Sequence, residues 1–223
     1  MTDVKEADRT EANIMENSLF YLTARIDNPI LEQDQFDRIK EAFDVRCVLV
    51  EGNDALKADI ENARRIIAHI QSLDVAVLIA NAPDIARSLD ADGVHLVDSQ
   101  QEGSQDFSAL LARTNAVMEN DAIKGVAVGN SRHDAMERAE KNVDYVAFDV
   151  EETDMVEMIS WWADLFEIPC VAWKVGSPEM AVRCSKAGAD FIAIDLAAVI
   201  GDKSPVDVLM TFKTALADAS PPD

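Results

Sequence analysis

Acidic side chains stand directly after several short apolar runs of the chain, and this placement is the first sign of chemistry. Glu51 follows one run, Asp149 and Glu151 follow another, and Asp98 and Asp195 follow two more. Carboxylates gathered at one edge of a sheet can bind Mg²⁺, which takes few protein oxygens and keeps several waters. One of them with a raised pKa can instead act as a general base. Solvated loop acids are the alternative in a chain with 42 acidic residues.

A second group of residues suits phosphate. The segment Trp173–Pro178 contains Lys174, which offers a positive charge, and Gly176, which allows a close backbone approach. Ser177 is placed to cap the helix that Pro178 begins, and a helix N-terminus attracts anions. Arg25, after the first apolar run, adds a second cation. An ordinary capped turn between a strand and a helix is the alternative interpretation.

The elements that must position these residues repeat along the chain. A short apolar run followed by an amphipathic segment occurs eight times, and continuous apolar runs are typical of parallel strands covered on both faces. The runs are Leu19–Ala24, Val45–Val50, Val75–Ala80, Gly93–Leu96, Gly125–Val128, Tyr145–Phe148, Ile168–Trp173 and Phe191–Ile194.

This alternation predicts an α/β fold, a single (βα)8 TIM barrel. An open doubly wound sheet is the second choice, and it is disfavoured because no Gly-x-Gly-x-x-Gly motif follows the first run. Barrels of this kind commonly have roughly 200–250 residues, and their chemistry lies at the C-terminal ends of the strands. The polar residues above would therefore share one mouth.

The chain also contains a weak internal repeat. Ala91–Leu96, Val143–Phe148 and Ala189–Ile194 each place an Asp just before a buried strand. We see no linker or break in composition, so one barrel domain over residues 18–218 is expected. Residues 1–17 are expected to form a flexible leader, and residues 219–223 a tail.

Composition and charge narrow the function classes. The formal net charge of −22 disfavours nucleic acid and anionic membranes as partners. No run approaches the ~18 apolar residues of a membrane span, and the polar N-terminus does not resemble a secretory signal. Cys47, Cys170 and Cys184 lack metal-type spacing. We expect a cytoplasmic protein with a small-molecule ligand, and a homo-oligomer is left open.

His95 is the histidine whose role depends on the barrel. It lies within the fourth run, and strand alternation decides whether it points into the barrel or toward the helices. A hydrogen-bonded core histidine is the favoured interpretation, and the spacing of the three histidines gives no Ser-His-Asp arrangement.

The chain resembles the thiamine phosphate synthase and thiazole tautomerase family from about Phe20 to its end. The most informative string is Ala91-Asp-Gly-Val-His-Leu96, which follows Asn81 at the spacing seen in that family. Further segments are similar to its strands five to eight. These are Gly125–Ser131, Asp144–Phe148, Ile168–Ala172, Ser177–Glu179 and Ala187–Asp190.

The resemblance implies a Mg²⁺-dependent transferase that joins hydroxymethylpyrimidine pyrophosphate to a thiazole phosphate and releases pyrophosphate. Of the family's functional residues, the chain keeps Asn81, and less closely Ser131 and Gly176, with Asn81 and Ser131 in catalytic roles. The residues at the predicted mouth add Asp149 as a catalytic candidate, Arg25, Lys174, Gly176 and Ser177 as phosphate contacts, and Asp98 and Glu151 as metal ligands. The chain departs from the family pattern at several of its functional positions. Leu49, Glu51 and Asn53 replace a Gln-x-Arg-x-Lys string, Ala82 and Gln100 replace metal-binding aspartates, and Lys174-Val175 replaces Gly-Gly.

Three functions follow from this pattern. The first is a divergent family member that acts on another small, phosphorylated ligand, because a mouth rich in carboxylates should repel pyrophosphate. The second is a non-catalytic binding or regulatory barrel, a pseudoenzyme. The third is a working synthase whose functional residues have moved.

Overall fold

The fold is that of a closed eight-stranded barrel, described here from a computed structural model. The structure describes residues 19–97, 107–128, 131–151, 155–201 and 203–219. The expected leader at residues 1–17 and residues 220–223 of the expected tail lie outside the described residues. So do Asp98 and Asn130.

All eight strands pair in parallel and in sequence order, and β1 closes the barrel by pairing with β8. This arrangement confirms the predicted TIM barrel. The strands are β1 (Leu19–Arg25), β2 (Val45–Glu51), β3 (Ala76–Ala80), β4 (Gly93–Leu96), β5 (Ile123–Val128), β6 (Tyr145–Asp149), β7 (Cys170–Trp173) and β8 (Phe191–Asp195).

Helices follow the strands and cover the outside of the barrel. A short 3-10 turn at Pro29–Leu31 precedes the first helix. The helices are α1 (Gln33–Ala42), α2 (Asn53–Ala58), α3 (Ile60–Ser72), α4 (Pro83–Ser88), α5 (Phe107–Val117), α6 (Arg132–Ala139), α7 (Met155–Leu165), α8 (Pro178–Lys186), α9 (Leu196–Ile200) and α10 (Pro205–Ala219). None of the helices in the described ranges is long and apolar enough to cross a membrane.

Two apolar layers account for the continuous hydrophobic runs. Alternate strand residues such as Leu49, Leu78 and Val171 fill the barrel interior. Their neighbours, such as Val48 and Ile79, pack outward against the helices in the larger core. A parallel strand in this fold is thus buried on both faces, which is why its sequence does not alternate between apolar and polar.

The internal repeat has a structural cause at the N-terminal end of the barrel. Each repeated Asp accepts a hydrogen bond from a backbone N–H of the preceding strand. Asp92 Oδ2 accepts from Val77 at 2.7 Å. Asp144 Oδ2 accepts from Lys124 at 2.7 Å, and Asp190 Oδ2 accepts from Cys170 at 2.8 Å. The repeat therefore joins neighbouring strands three times around the barrel.

Two strands begin two residues away from the start of their apolar runs. β5 begins at Ile123, two residues before the run that starts at Gly125, because Ile123 and Lys124 pair with β4 although Lys124 is polar. β7 begins at Cys170 and not at Ile168. Pro169, just before it, has no N–H to give to a ladder.

Candidate functional site

Five charged residues lie at or just after the C-terminal ends of the strands, on one rim of the barrel. Arg25 ends β1 and is in register with Glu51, which ends β2. Asp149 and Asp195 end β6 and β8, and Lys174 directly follows β7. We call this rim the mouth. The parallel strands thus place these predicted residues at the same end of the barrel, where such folds carry their sites.

Lys174 contacts two carboxylates at the end of the neighbouring strand β6. Its Nζ lies 2.5 Å from Asp149 Oδ2 and 3.6 Å from Glu151 Oε2, and 5.0 Å from the centre of the Trp173 ring. Partial burial lowers the pKa of Lys174, but the hydrogen bond and charge of Asp149 with the charge of Glu151 outweigh it, so that the pKa is raised overall. Lys174 is therefore a firmly charged ammonium that already has two anionic partners.

The backbone of Lys174 is also unusual. Its φ is +60°, in the left-handed region that a residue with a Cβ adopts at a cost of order 1–2 kcal/mol. The family resemblance places a glycine at this position, which would adopt such a φ without strain. The chain thus accepts local backbone strain and has a cation there.

Glu51 and Asp195 form the other acidic side of the mouth. Burial raises the pKa of Glu51, the nearby charge of Asp195 raises it further, and Lys174 partly offsets both. Asp195 Oδ1 caps α9 by accepting from the Ala197 N–H at 2.9 Å. Glu51 is therefore a carboxylate held partly out of water beside another acid, as a general base or an anion-excluding group would be.

Arg25, predicted to contact phosphate, is paired with a neighbour. Its guanidinium makes two hydrogen bonds of 3.0 Å to Asp27, and both side chains are more than half exposed. The guanidinium also lies over Gly52, whose φ of +85° permits the tight turn after β2. Arg25 therefore lies on the rim, and Asp27 neutralises its charge.

Asn81 and Ser131, assigned catalytic roles by the resemblance, both bond to backbone. The Asn81 side chain donates to the Val97 carbonyl at 2.9 Å and accepts from the Val97 N–H at 2.7 Å, which locks the ends of β3 and β4 together. Ser131 Oγ accepts from the Asp134 N–H at 3.4 Å and caps α6. Their catalytic roles stay predictions.

The segment predicted to bind phosphate has the expected local form. Ser177 Oγ accepts from the Met180 N–H at 3.2 Å and caps α8, with Pro178 in its first turn. A Cβ added at Gly176 would meet no atom within 4 Å, so the space beside this backbone is open. The predicted cap is confirmed, and phosphate binding there stays a prediction.

Magnesium fits the described part of the mouth poorly. Within the described ranges, no group of three or more His, Cys, Asp or Glu side chains is placed to hold a metal ion. Asp98, one predicted ligand, lies outside those ranges, and Glu151, the other, shares the Lys174 ammonium with Asp149. Magnesium binding at Asp98 and Glu151 therefore stays a prediction, and we derive no step through the ion.

Beneath the mouth, the barrel interior contains polar groups whose role the sequence did not reveal. His95 points into the barrel and is only 1% exposed. Its Nδ1 lies 2.8 Å from the Tyr145 hydroxyl, which lies 2.9 Å from the Tyr21 hydroxyl. The core position predicted for His95 agrees with this geometry. Gly125 was the signal that could have located Tyr145, because a strand glycine often marks the close approach of another group.

Comparison with known proteins agrees with this architecture. The family model described as thiamine monophosphate synthase matches residues 20–197. The chain is 35% identical to the thiamine-phosphate synthase of Rhodospirillum centenum over 164 residues, 69% of this chain and 75% of that protein. It is 35% identical to that of Erythrobacter litoralis over 160 residues, 65% of this chain and 71% of that protein.

A solved structure gives the same fold. The thiamine phosphate pyrophosphorylase of Pyrococcus furiosus superposes with a TM-score of 0.70 over 93% of this chain and 99% of that chain, at 20% sequence identity. That likeness supports the barrel, while the family model and the sequence relatives establish ancestry. The chain belongs to the thiamine monophosphate synthase family.

Proposed function

We propose that this barrel binds a small monophosphorylated ligand at its mouth and does not carry out the pyrophosphate-releasing transfer of its family. The observation that supports this most directly is the pairing of the Lys174 ammonium with Asp149 and Glu151. Glu51 stands where the resemblance expects a cation-bearing string. The described mouth thus offers an incoming anion more carboxylates than uncommitted cations.

The charge of the ligand decides between the two activities. A pair of unit charges ~4 Å apart interacts by about 4 kcal/mol at an effective dielectric constant of ~20. A pyrophosphate brings several negative charges toward Glu51, Glu151 and Asp195, whereas a monophosphate brings at most two. The mouth therefore disfavours the diphosphate far more than a monophosphate.

In this proposal the monophosphate binds at the start of α8. Gly176 leaves open space beside the backbone, Ser177 caps the helix, and Lys174 lies two residues earlier. A helix N-terminus favours negative charge through its exposed N–H groups and its dipole. Binding there would require Lys174 to exchange one carboxylate partner for the phosphate.

Thermal shift measurements test this proposal. We expect inorganic phosphate, a sugar phosphate or thiazole phosphate at millimolar concentration to raise the melting temperature of the protein. Lys174→Ala should abolish the shift. Lys186→Ala is the matched control, because Lys186 is exposed at the opposite end of α8, and it should preserve the shift. No shift with any of the three compounds, or an equal shift in Lys174→Ala, would refute the proposal.

A non-catalytic regulatory barrel is the second candidate. The observation that favours it is the formal net charge of −22, which suits a basic protein partner. In that case a cell extract should yield a stoichiometric basic partner whose binding weakens as salt is raised. Size-exclusion chromatography of the pure protein separately determines its oligomeric state, which the sequence leaves open.

A further inference from the structure

A row of hydrogen-bonded side chains inside the barrel ends at a buried polar atom without a hydrogen-bond partner. Tyr21 bonds Tyr145, and Tyr145 bonds His95 Nδ1, with the His95 and Tyr145 rings stacked 5.6 Å apart. Each hydroxyl has a partner, and the ring stacking fixes the His95 plane. The second ring nitrogen, His95 Nε2, is the last atom of this row of hydrogen-bonded side chains.

Two buried side-chain atoms within the described ranges have no hydrogen-bond partner, and they belong to neighbouring rings. They are His95 Nε2 and Trp173 Nε1. The residues are 1% and 6% exposed, and their ring centres are 5.0 Å apart. Burying a polar group without a hydrogen-bond partner costs free energy, so native proteins rarely keep one without a water or ligand that satisfies it.

The pair lies directly below the mouth. Trp173 is the last residue of β7 and is in register with Asp149 on the rim. The ammonium of Lys174 lies 5.0 Å from the centre of the Trp173 ring. A ligand that entered the mouth and displaced Lys174 would therefore meet Trp173 first and His95 beyond it.

We propose that His95 and Trp173 form the floor of the ligand site and bind an uncharged hydroxyl or carbonyl group of the ligand. This inference rests on the proposed function, because it places the buried end of the same ligand. The indole N–H of Trp173 can only donate, so its partner must be an acceptor oxygen or nitrogen. A ligand hydroxyl satisfies both atoms by accepting from Trp173 and donating to His95 Nε2.

The surroundings favour an uncharged group. Burial lowers the pKa of His95 to about 3, so its ring is neutral at physiological pH and offers no charge to an anion. The Tyr21 and Tyr145 hydroxyls are likewise neutral, because burial raises their pKa values above the ordinary value. A charged group placed here would lose its hydration without a counter-ion from these rings.

NMR of the tryptophan indole groups tests the floor directly. The probe is phenol, and toluene is the control of the same size without a hydroxyl. Trp173→Phe assigns the Trp173 indole signal by removing it. We expect phenol to shift that signal saturably toward stronger hydrogen bonding, and toluene to cause no shift in that direction. No saturable shift with phenol, or equal shifts with both compounds, would show that the floor takes water only and would overturn the inference.

Variant affinities separate the two polar atoms from simple packing. Trp173→Phe keeps an aromatic ring but loses the donor, so phenol binding, followed by saturation-transfer NMR, should weaken about three- to ten-fold while toluene binding stays the same. Unchanged phenol affinity would count against the floor. Monophosphate binding in the thermal shift experiment is an independent readout, so a failed floor and a failed proposed function give different patterns.

Discussion

At the scale of single residues, His95 links burial to pH dependence. Its pKa falls from an ordinary value of 6.5 to about 3 in the fold because burial penalises the charged ring. The unfolded chain therefore binds a proton between these two pH values that the folded chain does not bind. Stability should be unaffected by His95 above about pH 6.5 and should decline as the pH falls below it.

Because the pKa of His95 is lowered in the fold, the free energy of unfolding should fall with decreasing pH at a measurable slope. From pH 6 to pH 4, His95 should contribute a loss of about 1.4 kcal/mol in the free energy of unfolding per pH unit. His95→Gln removes the titrating group, so its unfolding free energy should vary less steeply with pH than that of the wild type, by one proton. Denaturant unfolding at several pH values measures both slopes. Equal slopes would show that His95 is protonated normally in the folded protein.

Glu51 gives a second prediction at the residue scale. Its pKa is raised by burial and by Asp195, so its ionised form is disfavoured in the fold. Glu51→Gln should raise the melting temperature at pH 7 by about 2 °C. The gain should shrink as the pH falls through the carboxyl pKa, because the wild-type side chain then becomes neutral as well.

The control for that substitution is Glu167→Gln at an exposed position. It should leave the melting temperature nearly unchanged at both pH values. A stabilisation by Glu51→Gln that persists at pH 4 would instead reflect better packing of the amide, and would contradict the electrostatic account of the mouth.

At the scale of elements, the strands were predictable and the directions of their side chains were not. The apolar runs and the Asp repeated before three of the strands follow from local chemistry, and all eight runs end within one residue of the C-terminal end of their strand. The inward orientation of His95 required the register of β3 to β6, which the chain sets only on closing.

The contacts at the mouth likewise could not be predicted from the sequence alone. Sequence placed Lys174 and Asp149 on one rim because both follow strands, yet the 2.5 Å contact between them depends on the pairing of β6 with β7. The left-handed backbone of Lys174 could not be foreseen either, since lysine has no preference for it. Local patterns thus predict which residues reach the site, and tertiary pairing determines which partners they find.

Gly125 of β5 leaves the space that the Tyr145 ring occupies inside the barrel. A Cβ at this position would lie 1.9 Å from the Tyr145 ring, so Gly125→Ala must displace Tyr145 and its bond to His95. We expect a loss of about 3 kcal/mol or more in the free energy of unfolding. Gly176→Ala is the matched control, because its Cβ would meet no atom, and it should cost little. Chemical denaturation compares them, and equal losses would contradict the described packing.

At the scale of the whole molecule, the family membership and the acidic charge of the protein favour different ligands. The family model and the sequence relatives place the chain in the thiamine monophosphate synthase family. Its formal net charge of −22 and its carboxylate-bearing mouth oppose a substrate with several negative charges. We infer that the barrel has been kept while the ligand chemistry at its mouth has changed.

A direct transferase assay tests this claim most simply. The purified protein is supplied with hydroxymethylpyrimidine pyrophosphate, thiazole phosphate and Mg²⁺, and thiamine phosphate is measured over time. The account predicts no product above the protein-free rate, also after Glu51→Gln. Formation of thiamine phosphate in proportion to the amount of wild-type protein would contradict it.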